Sequence, residues 1–356
     1  MTATETGTRP TMQDTESLLE VRDLKVHFPI RKGFLKRVAG HVRAVDGVDF
    51  TIRKGETLGL VGESGCGKTT VGRSIVRALD PTSGQILYRT GADDVLNVAQ
   101  LDRRELSAYR REVRMVFQDP HSSLNPRMTL LQIVGEPLRV NGIAKGTDLQ
   151  DRVAALLRRV GLRPEYMHRY PHAFSGGERQ RVSIARTLAL DPRLVVADEA
   201  VSALDVSVRA QILNLLQDLQ EEYDLTYLFI AHDLSVVEYL CDRVAVMYVG
   251  KVAEVAETTQ LYTDPQHPYA EALLSAVPRP DPRLRGKGHR IVLQGDVADP
   301  SDPPSGCYFH PRCPYVQDRC TTDPPPLRTI TGDHQASCHF SEALDLKGVT
   351  REDVVE

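Results

Sequence analysis

Gly62-Glu63-Ser64-Gly65-Cys66-Gly67-Lys68-Thr69 is the stretch of sequence that decides the fold. It fits the pattern G-x-x-x-x-G-K-[ST], and it stands between an apolar run of strand length, Thr57–Val61, and a stretch with helical character from Lys68 to Leu79. Glycines let a backbone wrap closely around phosphate groups, and a helix N-terminus adds partial positive charge at the same place. The stretch therefore predicts a nucleoside triphosphate site, a P-loop, on an α/β scaffold.

Each residue of this loop is assigned by its position in the pattern. Lys68 is expected to contact the β- and γ-phosphates, and the Thr69 hydroxyl is expected to ligate Mg²⁺. Cys66 occupies a variable position, so we interpret it as a loop residue without a redox role. The predicted nucleotide-contacting residues of the loop are Gly62, Glu63, Ser64, Gly65, Cys66, Gly67, Lys68, Thr69 and Thr70.

Two further strand candidates end in polar residues. The apolar run Leu194–Ala197 is followed by Asp198 and Glu199, and the run Thr226–Ala231 is followed by His232. An acid at the end of a buried strand can hold Mg²⁺, as Asp198 would, and Glu199 could polarise an attacking water. The alternative is a pair of solvated loop acids. Strands that alternate with helices predict an α/β fold with a mainly parallel central sheet.

Ser175-Gly176-Gly177-Glu178 precedes a predicted helix over Arg179–Leu190. Ser175 and Glu178 have the spacing of a capping box, so the simplest interpretation is a well-capped helix. Two glycines in the first turn weaken a helix by roughly 1 kcal/mol each relative to alanine. That weakening fits a helix end whose free N–H groups must approach an anion closely.

Residues 175–181, Ser-Gly-Gly-Glu-Arg-Gln-Arg, closely resemble the signature sequence of the ABC ATPases, which usually has Gln where Glu178 stands. The other motifs of that family follow in its usual order. Gln118 matches the Q-loop, Ala203-Leu204-Asp205 matches the D-loop, and His232 matches the switch histidine. A lone His after a strand is more often structural, but the order and spacing of all the motifs favour the functional role. The resemblance covers about residues 20–260.

The resemblance implies an ABC ATPase domain over residues 19–263, with a mainly parallel central sheet, an antiparallel β subdomain and a helical subdomain at about 119–175. The family's catalytic positions are Glu199, His232 and Gln118, and its Mg²⁺ would be held by Thr69, Gln118 and Asp198. Phe28 stands where the family places its adenine-stacking aromatic, although His27 is adjacent. A buried strand phenylalanine is the alternative interpretation of Phe28.

The resemblance further implies that two ATPase domains meet head to tail, with two ATP molecules between them. The P-loop of each domain then faces the signature helix of the other, and the helical subdomain docks a cytoplasmic helix of a membrane partner. The residues expected to face the partner's ATP are Ser175, Gly176, Gly177, Glu178 and Asp205.

Two stretches resemble the ATPases of peptide and nickel importers: residues 119–127, and His267-Pro268-Tyr269 within Thr263–Pro278. The insert Arg31–Arg43 is similar to the second of their two ATPase types, which implies a heterodimer with a distinct homologous ATPase. The implied function is ATP hydrolysis that drives import, of peptides above all, through two membrane permease subunits served by an extracytoplasmic substrate-binding protein. The implied place is the cytoplasmic face of the cell membrane. Nickel, haem and glutathione stay open as cargoes.

Four of the six cysteines, Cys307, Cys313, Cys320 and Cys338, crowd into the Pro-rich C-terminal extension predicted over residues 264–356. Their spacing is C-x5-C-x6-C-x17-C. In peptide-importer ATPases this pattern is associated with a 4Fe-4S cluster, and a following proline is familiar from ferredoxin loops. Zinc is an alternative, although its sites usually contain shorter C-x2–4-C hairpins. Disulfides or free thiols are the third possibility.

Composition excludes some classes of function. The formal net charge of -4 lacks the basic excess of a nucleic-acid binder, so no nucleic-acid partner is expected. No apolar run reaches the roughly 18 residues of a membrane span. Residues 1–18 are predicted to be a disordered leader rather than a signal peptide.

A soluble ABC ATPase of translation or DNA repair is a competing function, but those proteins usually carry two ATPase domains or a long coiled-coil insertion. A non-hydrolytic nucleotide-binding module is disfavoured because Lys68, Asp198, Glu199 and His232 are all present.

Overall fold

The computed structural model describes residues 11–12, 14–33, 37–91, 94–119, 123–277 and 291–349. In these ranges the chain forms an eight-stranded mixed sheet and a four-stranded antiparallel sheet, with helices packed around the larger one. No helix in the same ranges combines the length and the apolar character needed to cross a membrane.

The larger sheet supplies the parallel core that the sequence predicts. Its strand order is β11-β12-β10-β9-β3-β8-β7-β6, and the pairs from β9 to β6 are all parallel. Every residue of β3, β7 and β8 is buried, as expected for strands covered on both faces. The strands are β3 (Thr57–Val61), β6 (Val113–Val116), β7 (Leu194–Asp198), β8 (Thr226–Ile230), β9 (Arg243–Tyr248), β10 (Lys251–Glu257), β11 (Arg328–Thr331) and β12 (His334–Ala336).

The smaller sheet is antiparallel throughout, in the order β2-β1-β4-β5. Its strands are β1 (Ser17–Lys32), β2 (Arg37–Arg53), β4 (Ser83–Arg89) and β5 (Val95–Asn97). Because β1 begins at Ser17, and both Ser17 and Leu18 are buried, the predicted leader over 1–18 is too long by two residues. The rest of that prediction falls largely on residues 1–10 and 13, which lie outside the described residues. The insert Arg31–Arg43 lies at the β1–β2 turn, and its residues 34–36 are also outside them.

Helices connect the strands and cover the sheet. The described helices are α1 (Lys68–Ile75), α2 (Arg103–Glu112), α3 (Leu130–Val140), α4 (Gly146–Arg159), α5 (Gly176–Leu188), α6 (Val206–Tyr223), α7 (Leu234–Leu240), α8 (Thr258–Thr263), α9 (Pro268–Ser275) and α10 (Asp318–Thr322). One face of α4 is apolar, and its residues Val153, Leu156 and Leu157 are buried. Helices α3 and α4 lie within the predicted helical subdomain and pack on each other and on α5.

The C-terminal extension continues the main sheet. Strand β12 pairs with β10, so that Glu254 lies opposite Ala336, and β11 adds the outermost strand. A fully buried contact reinforces this edge, because the Glu254 carboxylate lies 2.7 Å from His334 Nε2 and also accepts the backbone N–H groups of Gln266 and His267. Burial raises the pKa of the Glu254 carboxyl. The division at about residue 264 stays a prediction, and two strands from beyond it lie in the same sheet as the P-loop strand.

Candidate nucleotide site

The P-loop is wedged between two strands, which explains two of its glycines. Gly62 has a φ of 148° and Gly67 a φ of 107°, both in the region that side chains disfavour. A Cβ on Gly62 would lie 2.1 Å from the Met247 carbonyl oxygen of β9, and one on Gly67 would lie 2.2 Å from the Ala44 carbonyl oxygen of β2. A side chain at either position would therefore collide with a neighbouring strand, and the curved path of the loop requires glycine at both.

Lys68 lies inside the curve of the loop. Its Nζ donates to the Gly62 carbonyl oxygen at 2.7 Å and to the Glu63 carbonyl oxygen at 3.0 Å, and the residue is buried. A buried ammonium needs such partners, and phosphate oxygens could replace these carbonyls. Cys66 lies beside Lys68, and burial raises the pKa of its thiol, so it is a neutral packing group.

Thr69 and Asp198 meet where α1 begins and β7 ends. The Thr69 hydroxyl donates to Asp198 Oδ1 at 2.9 Å, although the two residues are far apart in the sequence. Burial raises the pKa of the Asp198 carboxyl, with Thr69 acting in the opposite direction. A hydroxyl beside a carboxylate, next to a phosphate-binding loop, is the oxygen-donor set that Mg²⁺ accepts. Gln118, the third predicted Mg²⁺ ligand, has a different partner here.

The three predicted catalytic residues meet at the Glu199 carboxylate. Its Oε2 accepts from Gln118 Nε2 at 2.8 Å and lies 3.4 Å from His232 Nδ1. The backbone of Glu199 has a φ of 47°, and its N–H donates to the Ile230 carbonyl oxygen at the end of β8. The structure therefore brings Gln118 and His232 to one oxygen of the same carboxylate. An oriented carboxylate of this kind can accept a proton from water.

Phe28 lies on β1 opposite Val42 of β2. Val42 stands two residues before Ala44, whose carbonyl oxygen lies against Gly67 of the P-loop. Its ring is exposed, so the alternative of a buried strand phenylalanine does not hold. The adjacent His27 points elsewhere and contacts Asp46 through Nε2 at 2.9 Å. Phe28 is therefore a free aromatic surface on a strand next to the loop.

The predicted capping box of α5 is present in full. The Ser175 side chain accepts from the Glu178 N–H, and the Glu178 side chain accepts from the Ser175 N–H. A Cβ on Gly177 would lie 2.3 Å from Val208 Cγ1, so this glycine also serves the close packing of α5 on α6. Asp205 caps α6, because its side chain accepts from the Val208 N–H. Within the described ranges the hydrogen bonds of the Ser175 side chain go to Glu178 and not to the P-loop.

The C-terminal extension also reaches the P-loop, which the sequence did not indicate. Arg312 binds both carboxylate oxygens of Glu63, at 2.7 and 3.2 Å, and the Glu63 N–H donates to the Tyr269 hydroxyl at 2.9 Å. Arg312 lies 249 positions after Glu63, and no local pattern connects them. In the sequence, Tyr269 is distinguished only as part of His267-Pro268-Tyr269, the stretch that resembles the ATPases of peptide and nickel importers.

The four clustered cysteines line one pocket in the extension, together with His267 and Phe309. None of the six cysteines, all within the described ranges, forms a disulfide, so the disulfide alternative is not seen. However, no group of three or more His, Cys, Asp or Glu side chains in the part of the chain that the structure describes has the arrangement of a metal site. Burial raises the pKa of Cys307 to about 11 and that of Cys313 to about 12. The predicted iron–sulfur site is thus unsupported as a formed metal centre.

Comparison with known proteins agrees with this geometry. Residues 45–202 match the family model described as ABC transporter, and residues 253–320 match the one described as oligopeptide/dipeptide transporter, C-terminal region. The chain is 50% identical over 330 residues to the oligopeptide transport ATP-binding protein AppF of Bacillus subtilis, covering 93% of this chain and 99% of that protein. It is 51% identical to a probable peptide ABC transporter ATP-binding protein of Sinorhizobium fredii, over 91% of this chain and 90% of that one.

Solved structures resemble the same part of the fold. The ATP-binding cassette MJ0796, in a dimeric post-hydrolysis state bound to ADP and Pi, aligns with a TM-score of 0.59 and 28% identity over 67% of this chain and 98% of its own. CbiO1 of Clostridium perfringens, part of an ABC transporter complex, aligns with a TM-score of 0.58 and 27% identity over 69% of this chain and 91% of its own. The chain therefore belongs to the ABC transporter family, as an ATP-binding protein that carries the oligopeptide/dipeptide transporter C-terminal region.

Proposed function

We propose that this chain is the ATP-hydrolysing subunit of an ABC importer for peptides. The observation that carries the proposal is the convergence of Gln118 and His232 on the Glu199 carboxylate, one residue after the Asp198–Thr69 pair. A P-loop alone supports nucleotide binding. An oriented carboxylate beside a Mg²⁺-type oxygen pair supports hydrolysis.

Each residue then has a stated task. Backbone N–H groups of the loop other than that of Glu63 bind the phosphates, and Lys68 exchanges the carbonyls of Gly62 and Glu63 for phosphate oxygens. The hydroxyl of Thr69 and the carboxylate of Asp198 hold Mg²⁺, with Gln118 completing the set when it leaves Glu199. Mg²⁺ neutralises charge on the phosphates when bound. Glu199 accepts the proton of the attacking water, and His232 keeps its carboxylate oriented. Phe28 stacks on the adenine.

Two chains complete each site. The signature residues Ser175–Glu178 and the D-loop residue Asp205 lie at capped helix N-termini, and the hydrogen bonds of Ser175 stay within its own helix. A helix N-terminus is suited to an anion, and the partner's γ-phosphate is that anion in our proposal. MJ0796, solved as a dimer with ADP and Pi, supports a two-chain arrangement. We propose a heterodimer with a distinct homologous ATPase.

The cargo follows from the relatives. The names of the Bacillus subtilis and Sinorhizobium fredii proteins state oligopeptide transport and peptide transport, at about half identity over nearly the whole chain. Two permease subunits would carry the peptide across the membrane, an extracytoplasmic binding protein would deliver it, and this chain would lie at the cytoplasmic face. No described residue favours nickel, haem or glutathione instead.

Phosphate release from Mg·ATP tests the catalytic part of this proposal. The wild-type chain alone should hydrolyse ATP weakly, and its rate should rise when the partner ATPase and the permease subunits are added. Lys68→Ala should lose nucleotide binding and therefore hydrolysis, while Lys347→Ala, in the C-terminal extension, is a matched lysine control. Full activity from a strictly monomeric chain would contradict the two-chain site.

A second proposal concerns the four cysteines, which we infer to hold a 4Fe-4S cluster, with zinc as the alternative. Its support is the shared pocket of the four cysteines, together with the Phe340 N–H, which donates to Cys338 Sγ at 3.4 Å. Such N–H groups stabilise electron-rich sulfur and tune iron–sulfur centres. The donor set therefore fits the group, although its present spacing is not that of bound ligands.

Metal and sulfide analysis of anaerobically purified protein tests this second proposal. Iron and acid-labile sulfide should each approach about four per chain, with a broad visible absorption that bleaches on reduction. Cys320→Ser should lower both contents, whereas Cys241→Ser, at a buried cysteine far along the chain from the cluster, should not. One zinc and no iron per chain would support the zinc alternative. Finding neither metal would exclude both the iron–sulfur cluster and the zinc site.

A further inference from the structure

Arg312 joins the C-terminal extension to the P-loop through Glu63. The two guanidinium contacts, at 2.7 and 3.2 Å, form a bidentate pair, and only 8% of the Arg312 side chain is exposed. Hydrogen bonding to Glu63 raises the pKa of Arg312 further above its usual value. A partly buried bidentate pair is better ordered than a surface ion pair, so Arg312 holds a definite position against the loop.

Tyr269 fixes the backbone of the same loop residue. Its hydroxyl accepts the Glu63 N–H at 2.9 Å, and its ring is completely buried. The ring packs with Tyr248 and Phe309, with centroid separations between 4.7 and 5.3 Å. Tyr248 ends β9, whereas Phe309 precedes Arg312 in the extension, so this aromatic group ties the extension to the core directly beneath the P-loop.

The extension also contacts the strand on the other side of the loop. The Tyr308 hydroxyl donates to Asp46 Oδ2 at 2.7 Å, and the Arg43 N–H donates to the Pro300 carbonyl oxygen at 2.8 Å. Between these two residues of β2 lies Ala44, whose carbonyl oxygen abuts Gly67. Glu63 is thus held at its side chain by Arg312, at its N–H by Tyr269 and at its carbonyl by Lys68.

We infer that Arg312 and Tyr269 are positioning residues of the ATP site, which they complete from the C-terminal extension by holding and neutralising Glu63. The inference rests on the proposed function, because it takes the P-loop as the ATP site. Glu63 places a carboxylate in a loop that must receive a triphosphate, and like charges repel. Arg312 cancels that charge and keeps the carboxylate turned toward the extension. The same loop of the extension carries Cys307 and Cys313, on either side of Phe309 and Arg312.

Equilibrium binding of a fluorescent ATP analogue with Mg²⁺ to the full-length chain tests this inference. Arg312→Gln should raise Kd about tenfold, which corresponds to about 1.4 kcal/mol. The double variant Glu63→Gln/Arg312→Gln should bind better than Arg312→Gln alone, because it removes the unpaired charge. About 0.5 M salt should shrink the defect of Arg312→Gln, since salt screens that repulsion. In the assembled transporter the KM for ATP should rise while kcat at saturating ATP changes little.

Arg328→Gln is the matched control, because Arg328 also forms a two-point pair with a glutamate of the extension, Glu342, away from the P-loop. It should bind the analogue like wild type. Tyr269→Phe keeps the ring packing and removes only the hydroxyl, so it should raise Kd about threefold in a folded protein. It keeps the inference testable if Arg312→Gln fails to fold, as does Arg312→Lys, which should be intermediate.

The outcomes separate this inference from the proposed function. If wild type fails to bind the analogue, or Lys68→Ala binds it equally well, the proposed ATP site is wrong. If wild type binds and Lys68→Ala does not, but Arg312→Gln and Tyr269→Phe both bind like wild type, only the positioning role is overturned. It is also overturned if the double variant binds as weakly as Arg312→Gln, because the charge of Glu63 would then play no part.

Discussion

Replacing Glu199 with Gln should separate ATP binding from ATP hydrolysis. The carboxamide has the size of the carboxylate. Its oxygen can still accept the hydrogen bond that Gln118 Nε2 donates to Glu199 Oε2 at 2.8 Å in the wild-type protein. The positive φ of Glu199 belongs to the backbone and is unaffected by the change. The hydrogen bond from the backbone N–H of residue 199 to the Ile230 carbonyl oxygen does not involve the side chain and should persist as well. The substitution therefore removes the basicity of the side chain and little else.

The size of the effect follows from that geometry. A positioned general base contributes roughly 10²–10⁴ in rate, which is about 3–5 kcal/mol of the activation barrier. Because only 18% of the Glu199 side chain is exposed and its contacts survive, the free energy of unfolding should change by less than about 1 kcal/mol. Burial raises the pKa of the Asp198 carboxyl and the charge of Glu199 adds to that rise, so removing that charge does not favour protonation of Asp198.

The assay is phosphate release by the assembled complex, alongside binding of a fluorescent ATP analogue to the same protein. Hydrolysis by Glu199→Gln should fall by roughly 10²–10⁴-fold, while Kd for the analogue stays within about threefold of wild type. Glu221→Gln, on the exposed face of α6, is the matched control and should hydrolyse at the wild-type rate. Normal hydrolysis by Glu199→Gln would refute the assignment of the base. A fall in hydrolysis that merely follows weaker binding would refute it as well.

Three further predictions address the metal pair, a helix cap and a buried histidine. Thr69→Val should raise the Mg²⁺ concentration required for half-maximal hydrolysis about tenfold, because one ligand is lost; an unchanged Mg²⁺ titration would argue against the Thr69–Asp198 pair. Ser175→Ala should lower the free energy of unfolding by about 1 kcal/mol in denaturant titrations, and an effect near zero would show that the capping box is not formed. Burial lowers the pKa of His267 to about 4, and its Nδ1 must stay unprotonated to accept the Tyr269 N–H. The folded protein thus binds this proton less readily than the unfolded chain, so stability is complete above pH 6.5 and on the order of 3 kcal/mol is lost as pH falls toward 4. His267→Asn keeps a cap without titrating and should show a flatter pH dependence of unfolding; parallel pH profiles would contradict this.

Local signals predicted the centre of the fold well. The runs Leu194–Ala197 and Thr226–Ala231 became β7 and β8, because an unbroken apolar stretch of that length must be covered on both faces. The Ser175–Glu178 spacing predicted the capping box, and α5 starts at Gly176, three residues before the predicted helix. Helix α1 ends at Ile75, four residues earlier than predicted, as Arg77 adopts a φ of 55° ahead of the turn.

Contacts between distant parts of the chain could not be predicted in this way. The Arg312–Glu63 pair joins the last third of the sequence to the P-loop, and nothing in either segment specifies the other. The pairing of β12 with β10 is similar, since a three-residue strand carries too little pattern to identify its partner. The four cysteines are close together in the sequence and do line one pocket, but the spacing of residues along a chain does not determine whether their sulfurs reach metal-binding geometry.

Uptake of a radiolabelled peptide into proteoliposomes tests most directly the claim that this chain powers peptide import. The vesicles contain the permease subunits, this chain and its partner ATPase, with binding protein and peptide on one side and Mg·ATP on the other. The account predicts that peptide accumulates only with ATP, and that Glu199→Gln in this chain abolishes accumulation although ATP still binds. Peptide accumulation at the wild-type rate with Glu199→Gln, or hydrolysis without any transport of peptide, would contradict it.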